Sequence, residues 1–353
     1  MTTIKQHFDK LIEDTLPGES AEAARKAAPD VREHLRKHED LPTQENPTTR
    51  LIGSYQRSTA VQELKDVDIL VFIDAEEGDY TPKEMLDLLR KALNDYPASE
   101  SSTRKQNRSV RIHLTDVDVD LDIVPALNHT DDNSRPLRIP DGDAGRWIDT
   151  HPLRYAELLT ELNKREEHYG RVKPLIRLFK VWRNEHLTGT KKPKSMWLEV
   201  LAFNAVSEGS VKPKEDGYAQ AFRDLLKYAV DKLAPWTDLG MAPTIYDPVL
   251  TTTSITGDWP VESWKAVVAR LRTDLASADA ALAEQDADEA AKHWSKVFGA
   301  AWPEDAEAKS ALYKSIVAGT AVGTAAGSLL AAKPAAASTF PVPAARAYGR
   351  NSE

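Results

Sequence analysis

Two aspartates two positions apart, Asp66 and Asp68, stand in the run KDVDILVFID, and a second run, TDVDVDLDIV, carries Asp116, Asp118, Asp120 and Asp122 at the same step. In an extended strand residues i and i+2 share a face, so Asp66 and Asp68 project together while Val67 and Ile69 point into a core. Carboxylates crowded at the end of a buried strand repel one another. A divalent cation relieves that repulsion, and an all-oxygen ligand set selects hard ions such as Mg2+, with Mn2+ as a substitute. Consecutive aspartates of the second run lie about 7 Å apart at the usual strand rise, so only one or two of them can share a cation with Asp66 and Asp68. Asp122 is the choice, because it sits between Leu121 and Ile123 beside the apolar IVPAL segment, as Asp68 sits before ILVFI. Asp120 is the alternative, and taken alone the ladder reads equally well as a solvated sheet face. Gly53-Ser54 lies twelve residues before Asp66. Glycine lets the backbone approach a ligand closely, and the serine adds a hydroxyl and an amide for phosphate oxygens. A lone Gly-Ser says nothing; its spacing to a D-x-D strand and a later acid does.

The elements that must hold these residues follow from periodicity. Residues 67–73 form a β-branched run typical of a buried strand, 83–94 an amphipathic helix, and 110–114 and 117–124 two further strands, with Pro125 ending the second. An α/β unit therefore spans about residues 45–130. Before it, residues 4–41 read as two or three helical pieces broken at Pro17-Gly18 and Pro29. After it comes a polar loop with Pro136, Pro140 and Gly142, then helices over 147–164, 169–185, 197–206, 222–232, 259–283 and 288–298. No repeat of fixed period occurs.

Composition narrows the function classes. The 353 residues, 41% hydrophobic and 29% charged, suit one large or two medium globular domains and exclude disorder throughout. Acidic residues outnumber basic ones by 55 to 46, a formal charge of −9, which excludes a general nucleic-acid binder while leaving room for a local basic cleft. The absence of cysteine removes disulfides, zinc ribbons and thiol catalysis and fits a reducing compartment. The amphipathic, acid-bearing start MTTIKQHFDKLIEDTL lacks a secretory pattern, so a cytoplasmic protein is expected. Residues 315–332 (SIVAGTAVGTAAGSLLAA) are too diluted by Gly, Thr and Ser for a membrane span and read as a small-residue linker. The Ala/Pro-rich stretch after Lys333 reads as a flexible tail.

The segment RLIGSYQRSTAVQELKDVDILVFID, followed by VDLDIVPAL, resembles the polymerase-β-like nucleotidyltransferases. The nearer likeness is to the bacterial cyclic GMP-AMP synthase and DncV-like group, the CD-NTases, which are related to oligoadenylate synthetases. HYGRVKPLIRLFKVWRN, KPKSMWLEVLAFN, IYDPVL and WSKVFGAAWP extend it over residues 45–303. The resemblance implies an α+β fold, a palm sheet packed on a helical lobe and braced by an N-terminal helix. The division would be bracing helices 1–42, palm 43–145, helical lobe 146–312 completing the nucleotide cleft, and tail 313–353. It further implies that Gly53 and Ser54 hold a nucleoside triphosphate and that Asp66 and Asp68 bind two Mg2+. Asp122 would bind one of them and help deprotonate the attacking ribose hydroxyl. Lys180 and the pair Lys194-Ser195 match positions that contact phosphates. The plainer readings are a solvated helix residue for Lys180 and a helix cap for Lys194-Ser195. Arg57 reads as a solvated loop arginine or a phosphate contact. Trp182, Trp197 and Phe203 read as core, whereas Tyr55, Trp236, Tyr246, Trp259 and Trp264 are unranked base-stacking candidates.

The activity so implied joins nucleoside triphosphates (ATP, with GTP, CTP or UTP as further substrates) into a cyclic di- or trinucleotide. Pyrophosphate is released, and the product is a second messenger in anti-phage defence. The rival readings are a linear oligonucleotide synthetase, an RNA-directed nucleotidyltransferase, and a catalytically silent homologue that binds nucleotides or a partner. Neither a membrane nor a long nucleic acid is required. The zero cysteine count speaks against a zinc module like that of the animal DNA sensor. The end, KPAAASTFPVPAARAYGRNSE, is similar to family tails that accessory proteins grip or modify, but it runs on through RNSE after Gly349.

Overall fold

The computed structural model describes residues 3–303 apart from 46–47, 63–65, 97–100, 116–117, 131–133 and 215–216. Asp116, residues 315–332 and the tail after Lys333 therefore lie outside the described residues. Two N-terminal helices, α1 (Ile4–Asp14) and α2 (Glu19–Lys37), precede a mixed sheet. Its strands are β1 (Thr49–Leu51), β2 (Asp66–Phe72), β3 (Ser101–Lys105), β4 (Val110–Leu114) and β5 (Val119–Ala126). The one-turn helix α3 (Gly53–Gln56) follows β1, and α4 (Pro82–Asn94) follows β2. The hairpin of β6 (Leu137–Asp141) and β7 (Arg146–Thr150) leads to α5 (Pro152–Lys164), α6 (Val172–His186), α7 (Ser195–Ser207), α8 (Ala219–Asp238), α9 (Val261–Ala283) and α10 (Ala287–Phe298).

The sheet order is β1-β2-β5-β4-β3, with β2 and β5 parallel and the other neighbours antiparallel. Strand β2 lies inside the sheet and is buried on both faces from Ile69 onward, which is why it reads as a continuous apolar run. Alternation divides its side chains between two clusters. Val67, Ile69 and Val71 pack with Ala24, Ala28, Val31 and Leu35 of α2 and with Met85, Leu86 and Leu89 of α4. Leu70 and Phe72 face the other way, against Ala126, Leu137, Ile139 and Leu153. Helix α4 starts at a capping box in which Thr81 and Glu84 satisfy each other's backbone amides, with Pro82 in the first turn.

A third core is mainly helical, drawing on α1 and on α5 to α10 with a few loop residues such as Val211 and Ile245. Helix α7 (SMWLEVLAFNAVS) is apolar on all sides and runs through it. Phe8 of α1 sits edge-on to Trp294, Phe298 and Trp302 at centroid distances of 4.9, 5.6 and 5.2 Å. The first two helices thus serve different cores, α1 the helical one and α2 the sheet.

Several expectations need correction. Pro29 does not break α2, and α8 continues through Pro235 to Asp238. Each proline removes one hydrogen bond, which the buried apolar residues around it offset. Residues 137–150, expected as a loop running into a helix, form the β6–β7 hairpin, and the helix begins at Pro152. Strand β5 does not stop at Pro125. Its partner β4 covers only Val119–Ile123, so at Pro125 one edge is open and the missing N–H costs little. The four-aspartate ladder is also shorter than expected. Asp118 takes a left-handed turn (φ 50°) between β4 and β5, so among the described residues of the run only Asp120 and Asp122 are strand residues. Among the described residues no helix is long and apolar enough to cross a membrane.

Candidate active site

Parallel register brings the acids together: Asp66 lies beside Asp120 and Asp68 beside Asp122. All four are on the sheet face that carries Leu70 and Phe72, opposite the one covered by α2 and α4. On the next strand, Arg111 pairs with Asp122 and His113 with Asp120. Arg111 reaches across the patch. Its Nε donates to Asp122 Oδ1 at 2.8 Å, one terminal nitrogen to Asp120 at 2.8 Å, and the other to Asp66 at 2.9 Å and to Asp122 Oδ2 at 2.8 Å. Gln106 adds an amide contact to Asp122 at 3.1 Å, and the His113 ring lies 2.8 Å from Asp120.

Asp68 is treated differently. Burial, and then the neighbouring charges of Asp66 and Asp122, push its carboxyl up to about 6. Asp66 is also raised, by burial and by Asp122, with Arg111 opposing. This is the electrostatic signature of too many carboxylates for the counter-charge at hand.

Gly53 abuts Asp68. A Cβ at position 53 would fall 1.9 Å from Asp68 Oδ2, and the backbone there has φ +74°, so both space and conformation demand glycine. The amide of Ile52 donates to Asp68 O at 2.9 Å, fixing the turn to β2. The Ser54 carbonyl accepts from the amides of Thr59 at 2.9 Å and Ala60 at 3.1 Å, which folds the loop back on itself. Gly53, Asp66, Asp68 and Asp122 thus share one patch, with Ser54 on its border.

Lys180 does not join them. It is 2% exposed, and its ammonium donates to Glu199 Oε2 at 2.6 Å and to the Thr59 carbonyl at 2.9 Å. The solvated reading of this residue is therefore corrected, and its ammonium is turned toward Glu199 and Thr59 rather than toward the acids. Arg57 is likewise buried, its Nε 2.5 Å from Glu199 Oε1 and its guanidinium over the Tyr155 ring. Lys194 is exposed at the start of α7 and Ser195 is the first helical residue; neither side chain caps the helix. Met196 lies 3.8 Å from the Arg57 guanidinium, so the start of α7 stands near the Gly53–Ser54 loop.

Trp182, Trp197 and Phe203 are core residues. Trp264 is buried too, stacked on Trp197, and Trp259 packs edge-on to both, which removes these two from the stacking candidates. Trp236 and Tyr246 are about half exposed, and Tyr55 leans on the sheet core.

Sequence reasoning missed Arg111 and Glu199. The signals were present: VRIHL alternates basic residues onto the face opposite an acidic strand, and Glu199 is the lone charge in an apolar run.

The acids suit a hard cation in charge, oxygen chemistry and strand register. As placed they are gathered around Arg111, and among the described residues no three acidic or histidine side chains already stand close enough to grip a metal ion.

Residues 1–163 match the Second Messenger Oligonucleotide or Dinucleotide Synthetase domain. A cyclic AMP-AMP-AMP synthase of Acinetobacter sp. (strain ATCC 27244 / 9458) is 30% identical over 319 residues, 88% of either chain. A cyclic AMP-AMP-GMP synthase of Enterobacter hormaechei subsp. hoffmannii is 24% identical, across 85% of this chain and 92% of its own. Among solved structures, CdnC of E. coli MS115-1 in complex with HORMA-deltaN superimposes with a TM-score of 0.65 at 19% identity, covering 85% of this chain and 98% of that one.

Proposed function

Because the chain belongs to the second messenger oligonucleotide or dinucleotide synthetases, the CD-NTases, we propose that it joins nucleoside triphosphates into a cyclic trinucleotide built mainly from ATP. The observation that carries the reading is the in-register set Asp66, Asp68 and Asp122 beside the Gly53-Ser54 turn. The product names of the relatives support three nucleotides, with adenosine in at least two positions.

In this reading Asp66, Asp68 and Asp122 hold two Mg2+, or Mn2+ in their place. When bound, the ions supply a lowered pKa for the attacking ribose hydroxyl and charge neutralisation for the departing pyrophosphate. Gly53 lets the backbone come close to the triphosphate, and the Ser54 hydroxyl and amide bind its oxygens. Asp122 accepts the proton of the ribose hydroxyl as its oxygen bonds to the α-phosphorus and the bond to pyrophosphate breaks. Lys194 and Ser195, near the loop, are assigned to the phosphates, whereas Lys180 acts from beneath the loop.

The further reading is a cytoplasmic signal generator in anti-phage defence, with the C-terminal tail as a handle for accessory proteins. The HORMA complex of the CdnC structure supports partner binding.

Mass spectrometry of products formed from ATP, GTP, CTP and UTP with Mg2+ or Mn2+ tests the reaction. The expected product resists phosphatase; a linear chain with a free phosphate end would overturn the cyclic assignment. Asp66→Asn with Asp68→Asn is expected to cut pyrophosphate release by at least about 10³-fold with the circular-dichroism spectrum unchanged. Surviving activity would remove these residues from the site.

A further inference from the structure

Beneath the Gly53–Ser54 loop lies a buried charged network that links it to two helices of the helical core. Glu199 of α7 is fully buried (0% exposed), as is Thr59, and Lys180 of α6 and Arg57 are nearly so. Glu199 uses both oxygens. Oε1 accepts from Arg57 at 2.5 Å, and Oε2 accepts from Lys180 at 2.6 Å and from the Thr59 hydroxyl at 2.9 Å. Lys180 also donates to the Thr59 carbonyl, and Arg177, one turn earlier on α6, to the Ser58 carbonyl at 3.1 Å. Ser58 has φ 59°, a left-handed backbone that a non-glycine residue keeps only when its surroundings impose it. The amides of Thr59 and Ala60 then hold the Ser54 carbonyl. An unbroken chain of hydrogen bonds therefore runs from α7, through Thr59, to Ser54.

Stability alone is a poor account of this arrangement. A buried charge cluster seldom outperforms well-packed apolar residues of the same volume, yet it fixes geometry through directional bonds. What it fixes here is the loop beside Asp68.

We propose that Glu199, with Arg57, Lys180 and Thr59, is a positioning network that sets the Gly53–Ser54 loop for the nucleotide triphosphate, so that nucleotide affinity depends on how α6 and α7 seat against the sheet. The proposal rests on the assignment of Ser54 to the triphosphate.

Steady-state pyrophosphate release at saturating Mg2+ and varied ATP tests it on three variants of the full chain. An apolar replacement of the charges, Arg57→Met with Lys180→Met and Glu199→Leu, is expected to fold with a Tm near the parent's while KM for ATP rises at least about tenfold, because small misplacement of binding groups is costly. Thr59→Val removes the hydroxyl that bonds Glu199, leaving the Lys180 bond to the Thr59 carbonyl and every charge in place, and is expected to raise KM severalfold with kcat less affected. Ser54→Ala is expected to raise KM directly. If the apolar variant folds with KM within twofold of the parent while Ser54→Ala raises it, the network is only structural and the proposal fails alone. Where the apolar variant does not fold, Thr59→Val decides, and an unchanged KM overturns the proposal. An unchanged KM in Ser54→Ala removes the loop assignment and the proposal with it.

Discussion

At the scale of single residues, the site is a balance between carboxylates and one guanidinium. Arg111 satisfies Asp66, Asp120 and Asp122 at once, while at Asp68 burial and the like charges of Asp66 and Asp122 outweigh the cations Arg57 and Arg111. Under the proposed function Arg111 and a cation would therefore compete for the same oxygens. Arg111→Met is expected to lower the stability of the metal-free protein by about 1–3 kcal/mol, since it strands the buried Asp122 and leaves the partly exposed Asp66 and Asp120 beside it unopposed. The same variant should gain more from Mg2+ than the parent does. Differential scanning fluorimetry with EDTA and across a Mg2+ series measures both, and an equal Mg2+-induced rise in Tm would show that Arg111 does not compete. Gly53→Ala is expected to cost about 1–3 kcal/mol in strain and to abolish synthesis, because the added methyl would sit 1.9 Å from Asp68 Oδ2 at φ +74°. Chemical denaturation together with product assays checks it. The aspartates, Gly53 and Ser54 were legible in the sequence because strand alternation and spacing point to them. Arg111 was less so, since its role depends on which strand lies beside which.

Among the elements, the parallel pairing of β2 and β5 does most to build the site, because it sets two D-x-D runs side by side in register. A slip by one residue would turn one set of acids into the core, where Val67, Ile69, Leu121 and Ile123 now pack. Helices α6 and α7 support the neighbouring loop from the helical side. Helix α1 contributes to that helical core: Phe8 is fully buried among Trp294, Phe298 and Trp302. Phe8→Ala is expected to destabilise by about 3–5 kcal/mol, read from the midpoint of urea unfolding. A loss below 1 kcal/mol would mean that α1 is dispensable to the core. Most helices and the central strands were readable from apolar periodicity. The β6–β7 hairpin was not, because its prolines and glycines look like a loop and its burial comes from packing on α4 and β5, with Leu153 beside it.

For the molecule as a whole, acid should be a specific weakness. Burial alone would raise the Glu199 carboxyl, but Lys180 and Arg57 overcome that and hold it below the usual range. An unfolded glutamate titrates near about 4.3. The stability from this group is therefore fully present above that value and is lost as pH falls through the lower, folded one. Urea midpoints measured from pH 7 to pH 3 are expected to drop at the acid end, and the variant with Arg57→Met, Lys180→Met and Glu199→Leu should lose part of that drop. A parallel acid profile in the two proteins would place the sensitivity elsewhere. The acidic total of the chain, −9, is compatible with the proposed triphosphate chemistry, in which the phosphate partner would be small and met through cations. What the sequence by itself determined was the fold class and the acids with their Gly-Ser companion, because strand and helix periods and short-range spacing are local properties of the chain. Only the tertiary structure decided which aspartates of the second run belong to a strand, that Arg111 bridges them, and that Lys180 and Arg57 turn inward to Glu199. Those outcomes depend on register and burial between segments 9 to 142 residues apart, where the cost of leaving a charge unpaired selects the partner.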